Sequence, residues 1–307
     1  MAAYEVSTFL SITGDPLHKL VWRPDRDPIG VVQLTHGMAE HILRYNGLAE
    51  ALNDAGFAVV GHNHLGHGET AATKGYFAKR NGWDALLNDM HKVRLDTEKE
   101  YPGLPYFLLG HSMGSFLVRC YLFEHSQGLK GTVLSGTGSF SAAEANLGLL
   151  LSRFIILLGR GRRPAKLVDT LAFSANNKPF LPAQTHFDWL SRDKEQVKAY
   201  VDDPLCGFLF TAKGYHDLFT GLNRLNKAEN LQTMSKDLAV LFLAGSRDSV
   251  GKNGLGMQRV ADAFRDAGMK NITVKLYPEA RHEVFNEVNR REVYDDLISW
   301  LLSKIGE

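Results

Sequence analysis

A serine, an aspartate and a histidine, separated widely along the chain, each stand where a run of apolar residues ends, and together they fit nucleophilic acyl transfer. Gly110-His111-Ser112-Met113-Gly114 is a G-x-S-x-G pattern between the apolar run 106–109 and a helical pattern that begins near Gly114. A strand-turn-helix setting exposes a serine hydroxyl on a sharp turn, where side chains at 110 or 114 would collide. A serine hydroxyl needs a nearby base at neutral pH, and the base needs a carboxylate to orient it. Asp248 stands in the turn after the run 239–244, and His282 follows the run that ends at Tyr277-Pro278. The helix start after Ser112 offers the backbone N–H of Met113 to a developing negative oxygen. A second donor is expected from the loop after 31–35, where Gly37 lets the backbone approach a ligand and the N–H of Met38 pairs with that of Met113. In that loop His36 and His41 read as bracing hydrogen bonders. Glu40 reads as a first-turn helix residue favoured by the dipole, or as a contact for a substrate hydroxyl.

Positioning these groups requires strands whose ends converge. Runs rich in β-branched residues occur at 31–35, 57–61, 106–110, 132–135, 239–244 and 272–277. They are nearly continuous in apolar character, as strands covered on both faces of a parallel sheet are. Helical patterns at 43–55, 85–101, 114–125, 256–267 and 291–304 separate them, which is the rhythm of an α/β chain. Ahead of it, 4–13 and 17–22 flank Gly14-Asp15-Pro16 as an antiparallel edge hairpin, for about eight strands in all. Between 139 and 215 the rhythm breaks into helical patterns with no clear strand. The expected organisation is therefore a core of 1–138 and 216–307 with a helical insertion at 139–215. The insertion carries Leu147, Leu150, Leu151, Phe154, Ile155 and Leu158 at helical spacing, then the basic cluster Arg160, Arg162, Arg163 and Lys166.

The 307 residues hold 35 Lys+Arg against 34 Asp+Glu, a net charge of +1 that gives no nucleic-acid-binding signal, and 44% hydrophobic residues, enough for a packed core. Two cysteines, Cys120 and Cys206, make neither a disulfide framework nor a C-x-x-C pair. With no basic, apolar leader at the start, the expected compartment is the cytoplasm. The apolar stretch 147–158, interrupted by Arg153, is shorter than the ~20 residues of a membrane span, so it is expected to be buried or interfacial.

His36-Gly37-Met38-Ala39-Glu40-His41, Gly66-His67-Gly68, Gly110-His111-Ser112-Met113-Gly114 and the Asp248 and His282 turns resemble the monoacylglycerol lipase and lysophospholipase branch of the α/β-hydrolases, often labelled serine aminopeptidase-like. The resemblance spans nearly the whole chain and is weakest over the insertion. It implies an α/β-hydrolase fold, with a mostly parallel eight-stranded sheet flanked by helices and an inserted helical cap. It also implies Ser112 as nucleophile, His282 as base, Asp248 as its orienter, and the N–H groups of Met38 and Met113 as oxyanion hole. Asn63 departs from the family pattern, which usually carries Asp two residues before the Leu/Arg-Gly-His-Gly turn that here begins at Leu65.

The expected activity is serine-dependent cleavage of lipid-like carboxylic esters, of monoacylglycerol or lysophospholipid type, through an acyl-enzyme and without a cofactor. Phe140, Phe154, Trp189 and Phe208 are the candidates to line an acyl cavity, where each buried CH₂ contributes ~0.8 kcal/mol. The basic cluster offers peripheral contact with anionic headgroups of a membrane or micelle, or is a solvated face. Other readings stay open: a small-ester carboxylesterase of the same fold, a metal-dependent hydrolase using His62, His64 and His67, or a non-catalytic binder. An amine-recognising peptidase would need a carboxylate pair, and none is identified.

Overall fold

The computed structural model describes residues 4–306; residues 1–3 and 307, at the two ends of the expected core, lie outside the described residues. Eight strands, Tyr4–Leu10 (β1), Pro16–Trp22 (β2), Gly30–Thr35 (β3), Phe57–His62 (β4), Tyr106–His111 (β5), Gly131–Ser135 (β6), Ala239–Gly245 (β7) and Ile272–Tyr277 (β8), form one sheet in the order β1-β2-β4-β3-β5-β6-β7-β8. β1 and β2 pair antiparallel, β2 pairs antiparallel with β4, and the remaining pairs are parallel. Strands β3 to β7 are buried along their whole length, whereas of the edge strands β1 is largely open to solvent and β8 is half-buried. That difference is why the central strands read as unbroken apolar runs.

The helices are Asn46–Asp54 (α1), Gly82–Glu100 (α2), Met113–His125 (α3), Ala142–Ile155 (α4), Lys166–Phe173 (α5), Lys194–Asp202 (α6), Ala212–Arg224 (α7), Ala228–Gln232 (α8), Leu255–Asp266 (α9) and Arg290–Ile305 (α10). One core layer joins α1 and α10 to the sheet through Leu48, Leu52, Val293, Leu297 and Leu301. The other face is covered by α2, α3 and α9 through Leu86, Met90, Leu117, Val260 and Phe264. Register places Thr35 beside Gly110, His111 beside Ser135, Ser135 beside Leu243, and Gly245 beside Tyr277. The carboxyl ends of five strands thus meet along one edge, where α/β sheets assemble their sites.

Between β6 and β7 the chain forms α4 to α8, with one isolated bridge, Pro164 to Thr211. α7 runs through residue 215, where the sequence reading ends the insertion. Its Gly221 leaves no room for a Cβ against Trp83 of α2, and its Phe219 closes on Gly148 of α4. The helix therefore ties the inserted segment to the core. α4 begins with a capping box, in which Ser141 Oγ accepts from the Glu144 N–H at 3.2 Å and Glu144 Oε2 accepts from the Ser141 N–H at 2.7 Å. Its buried residues are Ala145, Gly148 and Ser152, all small. The apolar residues Leu147, Leu150, Phe154, Leu157 and Leu158 are instead 57–75% exposed.

With the π turn Ile156–Arg160, α4 makes a helical run Ala142–Arg160 of 19 residues, mean hydropathy 1.5 and 17% buried. By length and composition it reaches what a membrane span needs, so shortness does not exclude one, contrary to the sequence expectation. It packs on α7 within the helical segment between β6 and β7.

Candidate active site

The turn between β5 and α3 is held open by close backbone approach. A Cβ on Gly114 would lie 2.1 Å from the Thr35 carbonyl oxygen, and one on Gly110 would lie 2.4 Å from the Gly114 carbonyl oxygen. Between them Ser112 takes φ 51° and ψ −121°, a conformation costing a non-glycine residue about 1–3 kcal/mol. The surroundings enforce it. The Ser112 N–H donates to the Ser135 carbonyl at 2.9 Å, and its own carbonyl accepts from the Ser115 N–H at 2.8 Å and from Ser115 Oγ at 2.6 Å. The Met113 N–H lies in the first turn of α3, where no intrahelical carbonyl is available to it.

Asp248, fully buried after β7, accepts the Val250 N–H at 2.9 Å and faces His282 Nδ1 across 2.9 Å through the same oxygen, Oδ1. That bond assigns the Nδ1–H tautomer to the imidazole and leaves Nε2 as acceptor. Nε2 is buried and carries no hydrogen-bond partner, so a link to Ser112 Oγ is not closed here. Burial alone pushes the His282 pKa down, but the charge and hydrogen bond of Asp248, helped by Glu283 and Glu40, more than offset this and hold it above its ordinary value of 6.5. Trp189 lies 5.0 Å from the His282 ring, and its carbonyl accepts the His282 N–H at 3.4 Å. The inserted segment therefore steadies the histidine loop directly.

The loop after β3 is braced by histidines. His36 Nδ1 donates to the Gly37 carbonyl at 2.8 Å while Nε2 accepts the His64 N–H at 3.0 Å. His67 Nδ1 donates to the Leu65 carbonyl at 3.0 Å while Nε2 accepts the N–H of Ala39 at 3.2 Å, holding Ala39 at φ 53°. Both nitrogens of His67 are thus engaged, against the reading of His62, His64 and His67 as metal ligands. Burial pushes His62 down to about 3 and His67 to about 4, which keeps both neutral. Among the described residues, the ligand atoms that gather within 4.8 Å belong to His41, Asp203 and Cys206 instead. His41 Nε2 meets Asp203 Oδ2 at 2.8 Å, tying the loop to the insertion. Asn63 serves as an acceptor, its Oδ1 taking the Ile42 N–H at 2.9 Å.

Glu40 does not begin a helix. Its carboxylate turns back to accept the Gly37 N–H at 2.5 Å, Tyr45 Oη at 2.8 Å and Arg44 Nη1 at 2.5 Å. Arg44 also holds Glu283 in a two-pronged pair at 2.7 Å, joining this loop to the residue after His282. Burial opposes ionisation of Glu283, yet Arg44 overcomes it and draws the carboxyl down to about 2. Burial and the Glu283 charge push Glu40 up. The sequence reading missed Arg44 and Glu283. The i,i+4 spacing of Glu40 and Arg44 was a signal, but nothing local points to a partner 239 residues away.

A cavity of about 820 Å³ opens over these groups, bordered by Met38, Ser112, Met113 and His282. Phe140, Trp189 and Phe208 line it, as do Leu151, Leu218 and Phe219, which the sequence reading did not single out for that role. Phe154 does not: it lies on the outer stripe of α4, 61% exposed, because the small face of that helix packs inward. Lys166 reaches the cavity, and Arg162 stacks on Tyr76 at 4.2 Å. The arrangement offers a hydroxyl on a strained turn, an imidazole oriented by Asp248 with its Nε2 unpartnered, and an apolar chamber within the volume usual for ligand sites.

Comparison with known proteins agrees with this architecture. The chain is 30% identical over 302 residues to a monoacylglycerol lipase of Mycolicibacterium smegmatis, covering 97% of each, and 27% identical over 285 residues to the human monoglyceride lipase, covering 87% of this chain and 84% of that one. A thermostable carboxyl esterase from Bacillus coagulans, solved with glycerol, superposes with a TM-score of 0.92 at 29% identity over 99% of this chain and 100% of its own. Residues 26–289 match the family described as serine aminopeptidase, S33. With most of its length matched by the family and a relative 30% identical over 97% of each chain, the chain belongs to the serine aminopeptidase S33 family of α/β-hydrolases.

Proposed function

We propose that this ester hydrolase cleaves carboxylic esters of lipid-like substrates, monoacylglycerol or lysophospholipid in type, through an acyl-enzyme formed on Ser112. The observation that carries the reading is the opening of strained Ser112 and the free Nε2 side of the Asp248-oriented His282 into one apolar chamber. The lipase relatives support the lipid substrate, and Phe140, Trp189, Phe208 and Leu151 supply walls for an acyl chain.

In the reaction, Ser112 Oγ attacks the ester carbonyl carbon as its proton passes to His282 Nε2. The carbonyl oxygen becomes an oxyanion that accepts from the Met38 and Met113 N–H groups. Asp248 stabilises the imidazolium, which returns the proton to the departing alcohol as the carbon–oxygen bond breaks. Water then repeats the sequence: His282 takes its proton, the hydroxide adds to the acyl carbon, and collapse releases the acid and restores Ser112. Arg44, through Glu40 and Glu283, keeps the oxyanion loop and the histidine loop in register.

The exposed apolar stripe of α4, with Leu167, Leu171 and the arginines nearby, supports peripheral seating on a lipid surface beside the cavity. Unpaired Cys120 and Cys206 support a reducing, cytoplasmic setting.

The test is hydrolysis of p-nitrophenyl esters from two to sixteen carbons alongside 1-monoacylglycerol, by wild type and Ser112→Ala. Preference for medium or long chains and a dead mutant are expected. Selectivity for acetate or butyrate with monoacylglycerol untouched would overturn the lipid assignment, and activity surviving in Ser112→Ala would overturn the mechanism.

A further inference from the structure

Behind one wall of the acyl chamber lies a second cavity, of about 260 Å³, far more than the roughly 10–15 Å³ that one water requires. Phe140 and Leu222 border both cavities, and Leu231 and Phe264 line the second alone. Into this mostly apolar space faces Arg119, two helical turns beyond Ser112 on α3 and only 6% exposed. Its Nη1 donates to the Gly138 carbonyl at 2.8 Å and to Thr137 Oγ1 at 3.4 Å, while its Nε is buried with no partner. Among the described residues, the titratable group that acts on it is the Cys120 thiol, not a carboxylate, and burial pulls the guanidinium down to about 10, still protonated at neutral pH. Arg259 on α9 stands exposed at the cavity rim.

A buried guanidinium without a counter-charge is costly, and its fork of donors matches a carboxylate. We propose that this cavity is a carboxylate site that takes the head of a fatty acid, with Arg119 as its anchor, Arg259 as its outer cation and the alkyl chain against Leu231 and Phe264. The mostly apolar lining, Leu231 and Phe264 included, favours an anion that carries an alkyl chain over inorganic phosphate, which has none to bury. The anion site stands on its own observations; its assignment to the reaction's product rests on the lipid-ester reading above. Because Phe140 and Leu222 wall both cavities, occupancy of the second alters hydrolysis in the first without competing for Ser112.

The experiment labels Ser112 with a long-chain alkyl fluorophosphonate, which fills the acyl chamber, and titrates the labelled protein with octanoate by calorimetry. One equivalent is expected to bind, with affinity weakened roughly tenfold by Arg119→Gln and about threefold by Arg259→Glu. Inorganic phosphate, run in parallel, is expected not to bind. Absence of octanoate binding, or affinity untouched by both substitutions, overturns the site. Phosphate binding as tightly as octanoate overturns the fatty-acid assignment in favour of a small-anion pocket. If Arg119→Gln does not fold, Arg259→Glu decides, since that residue is exposed and an unchanged affinity there overturns the proposal. Failure of the reagent to label Ser112 counts against the serine mechanism alone. The octanoate titration is then made on unlabelled protein, where affinity that depends on Arg119 and Arg259 supports the site and affinity independent of both overturns it.

Discussion

The sheet and the helices between β6 and β7, the proposed cap, use apolar residues for opposite ends. In β3 to β7, Val32, Leu34, Val59, Phe107, Val133, Phe242 and Leu243 are sealed from water, and their large side chains fill the two layers that hold the strand ends in line. In α4 the small residues Ala145, Gly148 and Ser152 face inward, while Leu150, Phe154 and Leu157 stand 61–75% exposed. Hydrophobicity in the sheet builds rigidity; in the cap it builds a chamber wall and an outer surface. A contiguous exposed apolar stripe on a globular fold points to an interaction with a lipid or protein surface.

The largest effect belongs to the groups held at the sheet edge. Asp248→Asn should lower kcat/KM about 10⁴-fold, as loss of the orienting carboxylate does elsewhere, with the melting temperature changed far less. The pH profile carries the sign. The base must be neutral and its pKa is held above 6.5, so wild-type kcat/KM should fall as pH drops through a value above 6.5. In Asp248→Asn, burial is left less opposed and the inflection should move to lower pH. An inflection that stays in place would remove Asp248 from its assigned role.

Phe242→Ala, in the sealed core, should cost about 3–5 kcal/mol by denaturant unfolding. A loss below 1 kcal/mol would blur the contrast between sheet and cap. Gly148→Ala tests the seam between them. Its new Cβ would meet the Phe219 ring at about 2.5 Å, so a destabilisation of about 1–3 kcal/mol should accompany a raised KM for long-chain esters, because Phe219 also lines the chamber.

The smallest effect on stability should come from Leu150→Ser and Phe154→Ser, each within about 0.5 kcal/mol of wild type. Sharpening the comparison takes a second assay: hydrolysis of monoacylglycerol in anionic vesicles should fall several-fold in the double variant, with soluble p-nitrophenyl butyrate unchanged. Equal rates on vesicles would mean that the exposed stripe does not seat on lipid.

How far the sequence could be read follows the same division. Each central strand was visible because burial on both faces leaves an unbroken apolar run. The elbow was visible because the Gly110 and Gly114 contacts tolerate no side chain. Asp248 and His282 could be singled out because each follows such a strand directly. Phe154 was misplaced because a 3.6-residue period identifies a stripe without saying which side packs, and here Phe219 approaches so closely that only small residues fit. The helix-start reading of Glu40 fails, because its acceptor role toward Gly37, Tyr45 and Arg44 is set by how the loop folds back, while the alternative of a substrate contact stays open at the cavity it borders.

Local chemistry along the chain thus determined the order of strands and helices, the strained turn at Ser112 and the candidate groups at the strand ends, since each depends on near neighbours or on burial that a residue's own type reveals. Tertiary structure alone decided the Arg44 bridge to Glu283, the partners that the bracing histidines find across the 36–41 and 62–67 loops, the exposed face of α4 and the uncompensated Arg119 beside a second cavity. These depend on which distant surfaces meet, and no periodicity in one segment encodes the partner it will find across the sheet.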